Sequence, residues 1–155
     1  MAILTIRPAD HGPLLSGIEA AGQSWDAGML LTFSSGKLAA LIAKGASSNA
    51  PATIVGIANA PSTGVTDTIA PYTPITSTML FEATLENSDA DPYTMLQTDI
   101  GAEYGITVTA AGIAYVDKYK TAGDACFHIV EGEVGTVQAR VRGYFIADTL
   151  LTKGS

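Results

Sequence analysis

The chain has 155 residues, 47% of them hydrophobic and only 15% charged, with 16 glycines, one cysteine and a formal net charge of −7. That length and apolar content suffice for one domain with its own core, and the lone Cys126 excludes a disulfide framework within the chain. Soluble domains average roughly 25% charged residues, so an unusual share of this surface is left uncharged and suited to contact with protein.

The charges are unevenly spread. No Lys or Arg occurs between Lys44 and Lys118, while that interval holds Asp67, Glu82, Glu86, Asp89, Asp91, Asp99, Glu103 and Asp117. Such a surface repels phosphate and has little counterion release to exploit, so direct binding of nucleic acid is not expected. The longest stretch without an ionisable side chain, 45–66, is broken by Ser47, Ser48, Asn49, Pro51, Asn59 and Pro61, so no membrane-spanning segment is expected. Residues 1–8 lack a basic start followed by a long apolar run, so they do not read as a secretory leader.

In chain order, Ile3, Leu4, Thr5 and Ile6 form a short β-prone run, and the residues from Arg7 to Pro13 include two prolines and a glycine that stop regular structure. This reads as an N-terminal arm over 1–15, followed by one β-rich domain over 16–155. Ser16 and Glu19 have the spacing of a capping box, which predicts a short helix ending near Gly22. Residues 29–33 and 37–44 read as two strands joined by the three-residue loop 34–36. Leu38, Leu41, Ile42 and the alanines between them also suit a helix, but one so short, starting directly after Ser34, Ser35 and Gly36, is the weaker expectation.

A third strand is predicted over 53–58, flanked by Asn-Ala-Pro on both sides. The Thr/Pro/Ser-rich passage 61–77 reads as a long loop and hence a candidate contact loop, with Thr66, Asp67, Pro71, Tyr72 and Pro74 as its contact residues. Residues 78–86 alternate, placing Met79, Phe81, Ala83 and Leu85 on an inner face and Glu82, Thr84 and Glu86 on a wet one. Asp91 and Pro92 suit the start of a helical turn before Ile100. Strands follow over 104–109, 113–117, 126–131 and 134–146. Eight or nine short strands with Gly, Pro, Asn and Asp between them predict a mainly β fold, a small barrel or sandwich with short helical turns.

Catalytic patterns are weak. Cys126 and His128 are two apart on a predicted strand, but nothing identifies an orienting acid or oxyanion element, and His11 completes no spacing typical of zinc. The run 22–26 has Asp26 where a serine-hydrolase elbow needs glycine. Asp89 and Asp91 begin like a calcium loop, but Thr94 and Ile100 occupy positions that need glycine and glutamate; a looser site would draw on Glu86, Asp89, Asp91 and Asp99. The expectation is a protein that is not an enzyme and carries no cofactor or metal.

One resemblance rests on the order of short motifs: Trp25-Asp26-Ala27-Gly28-Met29-Leu30-Leu31 before a Gly-Lys hairpin, Ile54-Val55-Gly56-Ile57-Ala58, Met79-Leu80-Phe81-Glu82-Ala83, Ile100-Gly101-Ala102-Glu103-Tyr104-Gly105-Ile106, Ala114-Tyr115-Val116-Asp117 and Arg140-Val141-Arg142-Gly143-Tyr144-Phe145-Ile146. Over 25–147 the chain resembles the capsid decoration, or cement, proteins of tailed bacteriophages, with Tyr115 where similar proteins often carry Trp. The resemblance implies a β-rich protein, commonly a homotrimer, on the outer surface of the expanded head. There it would bind the major capsid protein at local three-fold positions and resist the pressure of packaged DNA. Synthesis in the bacterial host cytoplasm is part of the same expectation. An arm of Ile3, Leu4, Thr5, Ile6 and Arg7 that adds as a strand to a capsid sheet is the expected contact; the alternative is a strand that completes the chain's own barrel. A carbohydrate- or host-surface-binding β module is the other class, to be supported by exposed rings among Tyr72, Tyr93, Tyr115 and Tyr119.

Overall fold

Short apolar runs separated by turn residues give eleven strands among the described residues, which in the computed structural model are 6–8, 14–41, 54–76, 78–87, 93–109, 112–119 and 125–146. Ile3, Leu4, Thr5, Asp89, Asp91 and Pro92 lie outside them, as does the whole passage 42–53. The strands are β1 (Ile6–Pro8), β2 (Leu15–Ile18), β3 (Leu30–Ser34), β4 (Lys37–Ala40), β5 (Gly56–Ala58), β6 (Ile69–Pro74), β7 (Phe81–Glu86), β8 (Glu103–Val108), β9 (Ala114–Asp117), β10 (Phe127–Gly132) and β11 (Arg140–Phe145). Among the described residues the helical content is one 3₁₀ turn, Gln97–Asp99.

Five strands close a barrel in the order β7, β11, β10, β8, β9, sealed where β9 returns parallel to β7 with Leu85 opposite Val116 and Glu86 opposite Asp117. Closure removes most of the unpaired edge that a small sheet would otherwise expose. β1 lies antiparallel on β7, Ile6 opposite Ala83 and Arg7 opposite Glu82. The second sheet has the order β2, β6, β5, β3, β4, and its outer strands meet at a parallel bridge between Glu19 and Leu38. That approach requires Gly17, because a Cβ there would lie 2.7 Å from Leu38 Cδ1.

The middle of the second sheet is buried on both faces, which explains its unbroken apolar runs. Leu30, Ile54 and Ile57 join the barrel core with Phe81, Phe127 and Phe145, while their neighbours Leu31, Val55 and Ala58 pack with Trp25, Leu38, Ala70 and Tyr72. Phe145 meets Phe81 and Phe127 edge-to-face at 5.3 and 5.2 Å. Trp25 Nε1 donates to the Ala60 carbonyl at 3.0 Å, so the buried indole has its partner.

The fold is mainly β, as expected, and β4 is a strand. Ser34 pairs with Lys37, so the turn is the two residues Ser35 and Gly36, both with positive φ, rather than three. Further expectations are corrected. Ser16 to Glu19 is not a helix start, because β6 offers the backbone of Leu15–Ile18 a full antiparallel ladder that outcompetes one local capping interaction. The passage 61–77 is not one loop, since Pro71, Tyr72 and Pro74 belong to β6 and Tyr72 and Pro74 are buried. Pro71 is tolerated because it sits just past the end of β5, where its carbonyl accepts from the Asn59 amide at 3.1 Å and no ladder donor is needed. The outer face of β7 is not wet: Thr84 and Glu86 are buried and Glu82 half-buried under neighbouring strands and the segment at Tyr93. Strand 134–146 shortens to Arg140–Phe145, because residues 133–138 turn back, with Gln138 at φ 51°.

Ile6 and Arg7 are not free arm residues either. Ile6 is 1% exposed inside the barrel core, where its side chain gains more by burial than it would in water.

Candidate interaction surface

All three arginines of the sequence converge on one carboxylate. Because side chains in register project from the same face, the pairings Arg7–Glu82, Glu82–Arg142 and Arg142–Glu131 set a transverse row of alternating charge across β1, β7, β11 and β10. Arg7 Nη2 donates to Glu82 Oε1, Arg140 Nη1 reaches the same oxygen at 3.1 Å, and Arg142 spans Glu82 and Glu131 at 3.7 and 3.4 Å. The hydrogen bond from Arg7 outweighs burial and, with the charges of Arg140 and Arg142, holds the Glu82 carboxyl below its ordinary value. Beside the row, Glu82, Glu131, Gly132, Glu133, Arg140 and Arg142 line an open depression of about 350 Å³. Three arginines balance three glutamates there, so this face is neutral in an acidic protein.

A second region is apolar. Ile18 on β2 and Ile69 on β6 are direct cross-strand partners, and they are 37% and 71% exposed. Leu14, Leu15 and Val65 are also exposed aliphatic residues, although strand alternation turns Leu15 to the other face of β2 from Ile18. The adjoining loop is held from inside: the buried Glu19 carboxylate accepts from the Thr63 amide at 3.0 Å, the Thr63 hydroxyl at 2.9 Å and the Gly64 amide at 3.1 Å. Glu19 therefore braces the loop that carries Thr66 and Asp67, and Lys37 grips its rim through Asp67 at 2.6 Å. Of the predicted contact residues, Thr66 and Asp67 are exposed, Pro71 is half-buried, and Tyr72 and Pro74 are inside the sheet.

The third feature is a buried polar cluster at one end of the barrel. Asp99 accepts from Tyr104 Oη at 2.6 Å, Tyr93 Oη at 2.7 Å, the Leu96 amide at 2.8 Å and Lys118 Nζ at 3.0 Å. Burial alone would raise the Asp99 pKa, but these donors outweigh it and lower it. Lys118, which also donates to Tyr93, is raised by the same contacts against the effect of its own burial. Burial, then the hydrogen bond to Asp99, pushes the Tyr104 phenol up to about 12.

Among the described residues Cys126 and His128 do not come together as a pair, and His11, Asp89 and Asp91 lie outside those residues. Cys126 is in the barrel core, while His128 stacks on Tyr144 with ring centres 4.9 Å apart and its Nδ1 3.5 Å from Glu103. Glu86 and Asp99 are engaged by amides, phenols and Lys118, and no group of three or more metal-ligating side chains occurs among the described residues.

Glu82, Glu19 and the Asp99–Lys118 pair were absent from the expected site. Arg140 and Arg142, two apart on a strand and hence on one face, were the available signal for the charge row; the other pairs join residues too distant in sequence to be matched by pattern. No protein-family model matches the chain, and no characterised protein matches it in sequence.

Proposed function

We propose that the chain is a structural protein of a tailed-phage virion. It binds the major capsid protein on the outer surface of the expanded head as a homotrimer at local three-fold positions, and stabilises the shell against internal DNA pressure. The observation that supports this most is the exposed Ile18–Ile69 cross-strand pair, aliphatic surface beside a braced loop. Aliphatic surface of this kind is stabilised by removal from water, and a braced loop loses little freedom when it docks. The ordered motifs quoted above support the same reading.

In this reading β1 is the anchor of the N-terminal segment rather than its contact. Ile6 and Arg7 fix the segment to β7, and Ile3, Leu4 and Thr5 are the residues offered to the capsid. The test is co-sedimentation with expanded heads that lack decoration protein, taken from the phage that encodes the chain. Saturable binding near one copy per capsid subunit, lost on Ile69→Asp, is expected. No binding to mature heads overturns the reading and leaves a ligand-binding β module in its place.

A further inference from the structure

We infer that the depression walled by Asn87, Tyr93, Lys118 and Tyr119 binds one neutral pyranose ring of a glycan. This site is separate from the Ile18–Ile69 surface and does not rest on the capsid reading. It holds about 260 Å³, below the usual range for drug-sized ligands and sufficient for a single sugar ring.

The backbone of Lys118 and Tyr119 is anchored for a topological reason. Asn87 follows β7 and Lys118 follows β9 where these strands run parallel and seal the barrel, and the Lys118 amide donates to the Glu86 carbonyl at 3.0 Å. The Tyr119 amide is held by Asp117 Oδ1 at 3.0 Å. From this fixed backbone the Tyr119 side chain stands 59% exposed, although every other tyrosine among the described residues is buried or half-buried. An aromatic face of this kind packs against the C–H face of a sugar, and its surroundings supply the polar part.

Lys118 is the orienting group. Two of its three ammonium protons are engaged by Tyr93 and Asp99, which fix the head group before any ligand arrives and leave one donor for a hydroxyl oxygen. The buried Asp99 neutralises the ammonium charge, and the chain as a whole is at −7, so an anionic ligand gains little. A cation would find the Asp99 carboxylate already taken by four donors. A neutral polyhydroxyl ring satisfies both the aromatic wall and the donor.

The full-length protein is to be titrated with the methyl glycosides of glucose, galactose and mannose, following backbone amide shifts by NMR. At least one should give saturable shifts at 85–87, 93–96 and 116–119 with a Kd of roughly millimolar order. Tyr119→Ala should weaken binding roughly tenfold, and Tyr119→Phe should keep it within about threefold, because the ring face does the packing. Tyr119 is exposed, so both variants should fold. No saturable shift with any of the three sugars, or equal affinity in Tyr119→Ala, overturns the site and leaves the capsid reading untouched.

Discussion

Arg7 and Glu82 are register partners on β1 and β7, and their ion pair brings β1 into the charge row on the barrel's outer face. The pair joins residues 75 apart in sequence, beside a side chain, Ile6, that is buried in the core.

Glu82 is the hub of that row, so its loss should cost more than the loss of any one arginine. Glu82→Gln leaves three guanidinium groups without their shared anion and should lower stability by about 1–2 kcal/mol, whereas Arg7→Ala at a half-exposed site should cost about 0.5 kcal/mol. The folded-state pKa of Glu82 is depressed, so its contribution is present above the unfolded value of 4.5 and is lost as pH falls through the folded value. Urea midpoints should therefore separate wild type from Glu82→Gln at neutral pH and converge in acid.

Ile6→Ala should destabilise the barrel by about 2–4 kcal/mol, the range for emptying a buried Ile position. Deleting residues 2–8 should lower the melting temperature as well as any capsid affinity. A truncated protein that melts like wild type would show that β1 contributes nothing to the barrel.

Asp99→Asn should be among the most damaging polar substitutions, by about 3–5 kcal/mol, since it leaves a partly buried ammonium without its counter-ion. Tyr104→Phe removes one donor and should cost about 1 kcal/mol. In alkali the sign reverses from that of Glu82: Tyr104 and Lys118 both have raised values, so their contribution is full below the unfolded values near 10 and is lost as pH rises through the folded ones. Absorbance titration should find Tyr104 un-ionised until the pH approaches about 12.

Glu19→Ala should release the loop at 63–68 while leaving the strands paired. Amide exchange at Thr63 and Gly64, which donate to the Glu19 carboxylate in the native protein, should accelerate by at least about tenfold, at a cost of about 1–3 kcal/mol. Exchange rates unchanged at both amides would remove Glu19 as the brace.

Ile69→Asp lies on the solvent face of β6 and should change stability by less than about 0.5 kcal/mol. Heads should nevertheless no longer retain the variant. Full binding by a folded Ile69→Asp protein would move the capsid contact elsewhere on the surface.

Strand content was legible where residues repeated with period two or formed continuous β-branched runs, as in β5, β7 and β8. The β3–β4 hairpin was also legible from its turn-forming Ser34, Ser35 and Gly36, but its loop was read one residue too long, because Ser34 pairs with Lys37 and only Ser35 and Gly36 turn. β2 was misread because Ser16 and Glu19 satisfy a local helix rule, and nothing near them in sequence announces that β6 is their partner. Pro71 and Pro74 misled for the same reason: whether a proline disrupts a strand depends on which neighbour needs its missing N–H.

The sequence by itself determined the class of this protein: short apolar runs between turn residues, one cysteine, and few charges lead to a small β domain with a sparsely charged surface. Tertiary structure alone decided which distant residues meet. The convergence of Arg7, Arg140 and Arg142 on Glu82, the bracing of Thr63 by Glu19 and the pairing of Lys118 with Asp99 all arise from barrel closure and strand register. A one-residue slip in register would turn each side chain to the other face, and no local pattern specifies register between strands so far apart in the chain.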